Sequence, residues 1–196
     1  MEAARITIFA GHYGSGKTNL AINYALWLGR QGKQVALCDL DIVNPYFRTA
    51  DSTRVLAENG IELIASSYAN TNVDVPALPS KALSVFDNRD IHAVIELGGA
   101  DRGALALGRY VKRLKAENNY EMLLVLNQYR PLTRDVAGLM ETAHEIETAA
   151  QLRFTGLANN SNLGAATTFA DVEASYDFTA GVANSMKRPV RMTAVR

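Results

Sequence analysis

The sequence predicts a three-layer α/β/α sandwich, with a mostly parallel sheet of about seven strands between two layers of helices. Three observations predict it. Short apolar runs alternate with helical patterns along the chain, the order that builds parallel sheets from strand–helix–strand units. The runs show little polar alternation, as in Val35-Ala36-Leu37-Cys38, which suits strands covered on both faces. The residues able to do chemistry collect where strands end, the place at which ligands bind in such sheets. A length of 196 residues fits one domain, 1–196, with a sizeable core.

Strand one covers about Arg5 to Ala10 and runs into a glycine-rich turn. The first helix starts near Lys17 and carries Leu20, Ala21, Tyr24, Ala25, Trp27 and Leu28 at helical spacing, which makes Trp27 a core residue. Gly32 closes that helix. Strand two, Gln34 to Cys38, ends in Asp39-Leu40-Asp41, and Asn44-Pro45-Tyr46 marks the following stretch, Ile42 to Thr49, as a loop. A short helix near Ser52 to Glu58 precedes strand three, Ile61 to Ala65. Ser66 to Pro79 is polar and reads as a surface loop. A helix from Ser80 to Phe86 leads to strand four, His92 to Leu97, and then to the loop Gly98 to Gly103. One helix is expected from Ala104 to Glu117, then strand five, Met122 to Leu126, and a helix from Thr133 or Arg134 to Ala150. Strand six, Phe154 to Ala158, ends in Asn159-Asn160-Ser161-Asn162. A last helix, Phe178 to Met186, and a short strand, Val190 to Val195, complete the order.

The turn after strand one reads Gly11-His12-Tyr13-Gly14-Ser15-Gly16-Lys17-Thr18, the spacing G-x-x-x-x-G-K-[ST] of a phosphate-binding P-loop. A triphosphate presents several negative oxygens within a few ångströms, so its site needs clustered N–H donors and a cation. Glycines let the backbone turn sharply and approach the phosphates, and the helix that follows points its positive end at the same place. Lys17 is expected to reach the β and γ phosphates and the Thr18 hydroxyl to hold Mg²⁺. Gly11, Tyr13, Gly14, Ser15, Gly16, Lys17, Thr18 and Asn19 form the candidate nucleotide-binding segment. His12 is a tolerated, partly exposed side chain, and Cys38 is inert packing in a buried strand.

Other strand ends carry further candidates. Asp39 and Asp41, two apart, face one side if the strand stays regular; they bind metal or orient an attacking water, or else cap a turn. Glu96 holds Mg²⁺ indirectly or is a buried acid satisfied by backbone donors, and the N–H of Gly99 is placed to approach a γ-phosphate. The Asn160 amide can both give and accept, as an adenine edge requires, although Asn is also a turn residue. No Asn-Lys-x-Asp guanine signature appears; strand five ends Asn127-Gln128-Tyr129-Arg130.

Composition narrows the class. The chain is 48% hydrophobic and 20% charged, with 20 Lys+Arg against 20 Asp+Glu, so charge gives no nucleic-acid signal. No apolar run is long enough to span a bilayer. The start enters a strand at once, with no room expected for a signal peptide, and the single cysteine, Cys38, forms no internal disulfide; both point to the cytoplasm.

Taken together, Gly11 to Thr18, Asp39-Leu40-Asp41-Ile42, Glu96-Leu97-Gly98-Gly99 and Gly156-Leu157-Ala158-Asn159-Asn160-Ser161 resemble the MinD/ParA-like P-loop ATPases of the SIMIBI class. Those proteins include the nitrogenase iron protein and the cobyrinate amide synthetases. Val43-Asn44-Pro45-Tyr46-Phe47-Arg48, Gly98 to Ala104 and Leu107-Gly108-Arg109-Tyr110 resemble a bacterial branch described only as ATP-binding. The resemblance implies ATP and Mg²⁺ as ligands, with Lys17, Asp39 and Asp41 in catalysis, Thr18, Asp41 and Glu96 toward the metal, Gly99 in a second switch and Asn160 on adenine. It implies an ATP/ADP cycle read by a partner protein, and a possible nucleotide-dependent homodimer. The chain departs from the pattern at His12, where those relatives carry a lysine that crosses a dimer, and at Glu96, where Asp is usual. Cys38 alone excludes an iron–sulfur cluster shared between subunits. The membrane-binding C-terminal helix of MinD has no counterpart. The expected function is Mg²⁺-dependent ATP binding with slow hydrolysis, coupled to a switch. Two alternatives are an ATP-dependent small-molecule kinase or ligase, with Tyr68, Asn70, Asn72 and Asp74 lining the acceptor site, and a nucleotide sensor without turnover.

Overall fold

A computed structural model describes residues 3–40, 50–65, 80–99 and 102–195. Among them the strands are β1 (Ile6–Ala10), β2 (Gln34–Asp39), β3 (Glu62–Ala65), β4 (Ile91–Leu97), β5 (Tyr120–Leu126), β6 (Gly156–Asn159) and β7 (Val190–Thr193). The helices are α1 (Lys17–Arg30), α2 (Ala50–Glu58), α3 (Ser80–Asp87), α4 (Arg102–Gly108), α5 (Val111–Glu117), α6 (Val136–Ala150), α7 (Phe169–Ala174) and α8 (Tyr176–Met186). The strands make one seven-stranded sheet in the order β3-β2-β4-β1-β5-β6-β7. Every pairing is parallel, so the expected mostly parallel sheet is wholly parallel.

Chain order reverses direction at β1. From β1 the chain crosses to β2 and the edge strand β3, returns to β4 between β2 and β1, and then continues through β5, β6 and β7 on the other side. Helices α1 and α2 cover one face with Ala21, Ala25, Leu28 and Leu56 against Phe9, Leu37, Val94, Leu123 and Val125. The opposite face packs Ile6, Ile8, Cys38, Ile95 and Leu124 against α3, α4, α5, α6 and α8. Successive strand residues alternate between these two cores, which is why the strands are apolar on both sides.

Local sequence explains most element ends. After α1, Gly32 takes φ +75°, its N–H bonds to the Gly29 carbonyl, and the Lys33 N–H reaches back to Leu28, closing the helix with the left-handed glycine expected there. Asp135 caps α6 by accepting from the Gly138 N–H at 2.7 Å, so the helix starts at Val136, two or three residues after the Arg134 or Thr133 expected to open it. The helix expected over Ala104 to Glu117 is instead two, α4 and α5. Gly108 ends α4 against α6, where a Cβ would lie 3.0 Å from the Ala149 carbonyl oxygen, and Tyr110 stacks on Phe86 in the break. An unexpected helix, α7, begins at a reciprocal cap: Thr168 accepts from the Asp171 N–H and Asp171 from the Thr168 N–H. Trp27 is 43% exposed and not a core residue. The buried stripe of α1 is Ala21, Ala25 and Leu28; Trp27 lies about 100° from Leu28 and stacks on Tyr24 instead.

At the far end of the sheet, Arg5 is nearly buried. Its Nε pairs with Glu117 at 2.7 Å, and Nη1 donates to the carbonyls of Val85, Asn88 and Ile91. One guanidinium thus ties α3, β4 and α5 to the start of β1.

Candidate functional site

The site is built on the carboxyl ends of β1, β2, β4 and β6, where the chain reverses direction. Gly11 begins the loop pressed against β5: a Cβ there would come within 2.6 Å of the Val125 carbonyl oxygen. Gly16 stands immediately before α1 with φ +86° and ψ 23°, a left-handed conformation that suits glycine. The loop closes on itself through the Ser15 N–H and the His12 carbonyl, 3.2 Å apart, and α1 starts with Leu20 bonding back to Gly16. The first N–H groups of the helix have no intrahelical acceptor and point toward the loop.

Lys17 is 5% exposed and donates from Nζ to the His12 carbonyl oxygen at 3.3 Å, so its ammonium lies across the loop. Ser15 is fully buried, and its Oγ has no hydrogen-bond partner among the described residues. An unpaired hydroxyl inside a ring of glycines matches a cradle for an acceptor-rich group such as phosphate. Tyr13 is exposed at the rim, and the His12 Nδ1 lies 3.2 Å from the Tyr13 carbonyl.

The acids come from neighbouring strands. Asp39 and Glu96 are register partners at the ends of β2 and β4 and are both nearly buried. Each lies two residues beyond a member of the α1-side core, Leu37 and Val94, so both face α1. The Thr18 hydroxyl, in the first turn of α1, donates to Glu96 Oε1 at 2.6 Å. Gly99 follows two residues after β4, and a Cβ there would meet no atom within 4 Å among the described residues. Asp41 lies outside the described residues, as do Tyr68, Asn70, Asn72 and Asp74. Cys38 is buried, and burial, aided by Glu62 and Asp39, pushes its thiol up to about 12; it is packing and no nucleophile.

Beside the exposed flank of α1 is a cavity of about 640 Å³ lined by Asn19, Leu20, Asn23, Asn160, Asn162, Gly164, Thr167, Ala194 and Val195. Asn160 is nearly buried, and its Nδ2 donates to the Ser15 carbonyl at 2.8 Å. An amide network frames this wall. Asn127 Oδ1 accepts from the N–H groups of Tyr129 and Asn162, Asn159 Nδ2 donates to Ser175 Oγ, and Asn162 Oδ1 accepts from Gly164. The sequence reading singled out Asn160 but missed Asn23, Asn127, Asn162 and Thr167. The Asn-Asn-Ser-Asn run after β6 was the one local signal for part of that set.

The parts suit a magnesium–nucleotide complex. Among the described residues no group of three or more His, Cys, Asp or Glu could hold a metal by itself. Mg²⁺ is commonly held by one or two protein oxygens together with substrate phosphates and water, and Thr18 with Glu96 supplies that kind of incomplete donor set.

A parallel sheet with this loop, lysine and threonine at its central strand defines a P-loop nucleotide-binding domain. More narrowly, the chain belongs to the CobQ/CobB/MinD/ParA nucleotide-binding domain family, whose model matches residues 6–166. Solved structures share the fold. Chloroplast FtsY from Physcomitrella patens matches with 18% identity and a TM-score of 0.67, over 100% of this chain and 59% of that one. FtsY from Thermotoga maritima matches with 21% identity and a TM-score of 0.66, over 100% and 63%. The signal recognition particle 54 kDa protein from Aeropyrum pernix, solved in complex with GDP, matches with 16% identity and a TM-score of 0.57, over 98% and 42%. The chain therefore spans less than two thirds of each of these proteins, and the likeness is one of fold. No curated protein matches the sequence. No described helix is long and apolar enough to cross a membrane.

Proposed function

We propose that the protein binds ATP with Mg²⁺ and hydrolyses it slowly, as a nucleotide-dependent switch read by a partner protein. The observation that carries this reading is the convergence of Lys17, Thr18, Glu96 and Asp39 beneath one glycine loop, all on the α1 face. Lys17 and the loop N–H groups would bind the phosphates, and Thr18 with Glu96 would hold the metal side of the complex. Mg²⁺, when bound, would supply charge neutralisation for the phosphates. Asp39, the register partner of Glu96, would orient an attacking water, and Asp41 would share that role or support the metal.

Adenine is favoured over guanine by the chemistry of the cavity wall. Guanine presents two adjacent N–H donors that a carboxylate reads best, and among the described residues no carboxylate lines the cavity. Its amides, Asn160 first, can accept from the adenine amine and donate to a ring nitrogen. Calorimetric titration with ATP, with and without Mg²⁺, followed by single-turnover hydrolysis, tests the reading. Mg²⁺-dependent ATP binding with slow turnover supports it; absence of ATP binding overturns it.

A further inference from the structure

Asn160 touches two different things. Its side chain forms part of the wall of the cavity beside α1, and its Nδ2 is bonded to the carbonyl of Ser15, 145 residues earlier in the chain. Gly16 makes the approach possible: a Cβ at that position would collide with Asn160 Nδ2. We infer that Asn160 is a positioning residue for the phosphate loop, acting through the Ser15–Gly16 peptide, in addition to lining the base cavity. The inference rests on the reading of this site as a nucleotide site.

The physical basis is the planarity of the peptide. In a trans peptide the carbonyl and the following N–H point in opposite directions. Holding the Ser15 carbonyl toward Asn160 therefore holds the Gly16 N–H away from it, on the loop side where phosphate donors are needed. Asn160 is itself anchored. Its N–H donates to the Leu126 carbonyl at 2.9 Å, and its own carbonyl accepts from Asn162 Nδ2 at 2.7 Å. Asn162 in turn fixes Gly164, so the cavity wall and the strut to Ser15 are one hydrogen-bonded unit. The amide keeps its second N–H and its Oδ1 for a ligand. A base that engages Asn160 thus restrains the phosphate loop before any phosphate touches it.

The test separates base contact from loop positioning with a ligand that has no base. Wild type and Asn160→Ala are titrated calorimetrically with tripolyphosphate and with ATP. Loss of the bond strands a buried carbonyl and frees the loop, so tripolyphosphate affinity is expected to fall about tenfold in the variant. Unchanged tripolyphosphate affinity alongside weakened ATP binding overturns the positioning role and leaves the base contact standing. Wild type that binds neither ligand overturns the nucleotide-site reading itself. A second measurement needs no variant: adenosine alone should slow hydrogen exchange at the amides from Ser15 to Thr18 in wild type. Bound adenosine that leaves those amides unchanged overturns the coupling.

Discussion

Thr18 and Glu96, 78 residues apart in sequence, are joined by a 2.6 Å hydrogen bond from hydroxyl to carboxylate. The contact ties the first turn of α1, behind the phosphate loop, to the end of β4, the strand leading to Gly98-Gly99. The hydroxyl spends its proton on Glu96 and keeps its oxygen lone pairs for a metal. Thr18→Val keeps the shape and removes the hydroxyl. Mg²⁺ should then improve ATP affinity far less than in wild type, a difference measured by titrations with and without the metal.

Lys17 supplies a buried cation in the loop. Lys17→Ala should lower ATP affinity well over tenfold, given the strength of charged hydrogen bonds. Unchanged affinity in a folded variant would remove Lys17 from the phosphate site.

Asp39→Asn retains size and removes charge. A water-orienting acid acts on the chemical step, so turnover should fall by roughly tenfold or more while ATP binding persists. Single-turnover assays read both quantities. Wild-type turnover would shift the role to Glu96.

Arg5 carries a different kind of prediction, for stability rather than ligand binding. Arg5→Ala takes from Glu117, whose carboxylate is 11% exposed, its short partner and leaves it the longer contact to Arg89 at 3.7 Å, and three backbone carbonyls lose their donor. Unfolding free energy should fall by about 3–5 kcal/mol, the range for breaking a buried ion pair. Denaturant titration measures it; a loss below 1 kcal/mol would mean that water replaces the guanidinium.

His92 sets an acid limit on stability. Burial, with Lys33 and Arg5 nearby, holds its imidazole below the ordinary histidine value of 6.5. The unfolded chain therefore takes up the proton first. Stability is full above about 6.5, declines as pH falls below it, and levels once the folded form is protonated too. His92→Gln should flatten this part of the pH profile of Tm.

What could be read in advance follows from range. The phosphate loop was legible because one short segment carries all its constraints, and the parallel sheet because each strand records burial on two faces. The break at Gly108 depends on the α6 backbone more than 40 residues away, which no helical period reports. Trp27 was misread because the period places it near the apolar stripe and cannot say how wide the covered stripe is. The start of α7 was written locally, in Thr168 and Asp171, and was overlooked. The bond from Asn160 to Ser15 had no local trace beyond a run of asparagines.

The strand order also fixes a schedule for synthesis. β1 and the phosphate loop leave the ribosome before β4 and β5, the strands that β1 pairs with, which end at Leu97 and Leu126. At typical translation rates the loop waits on the order of ten seconds for its flanking strands, and longer for Asn160. A growing chain thus carries the sequence of a nucleotide site long before it carries the site. Nascent chains stalled before Leu126 should not be retained by immobilised nucleotide, whereas those released after Asn160 has emerged should be.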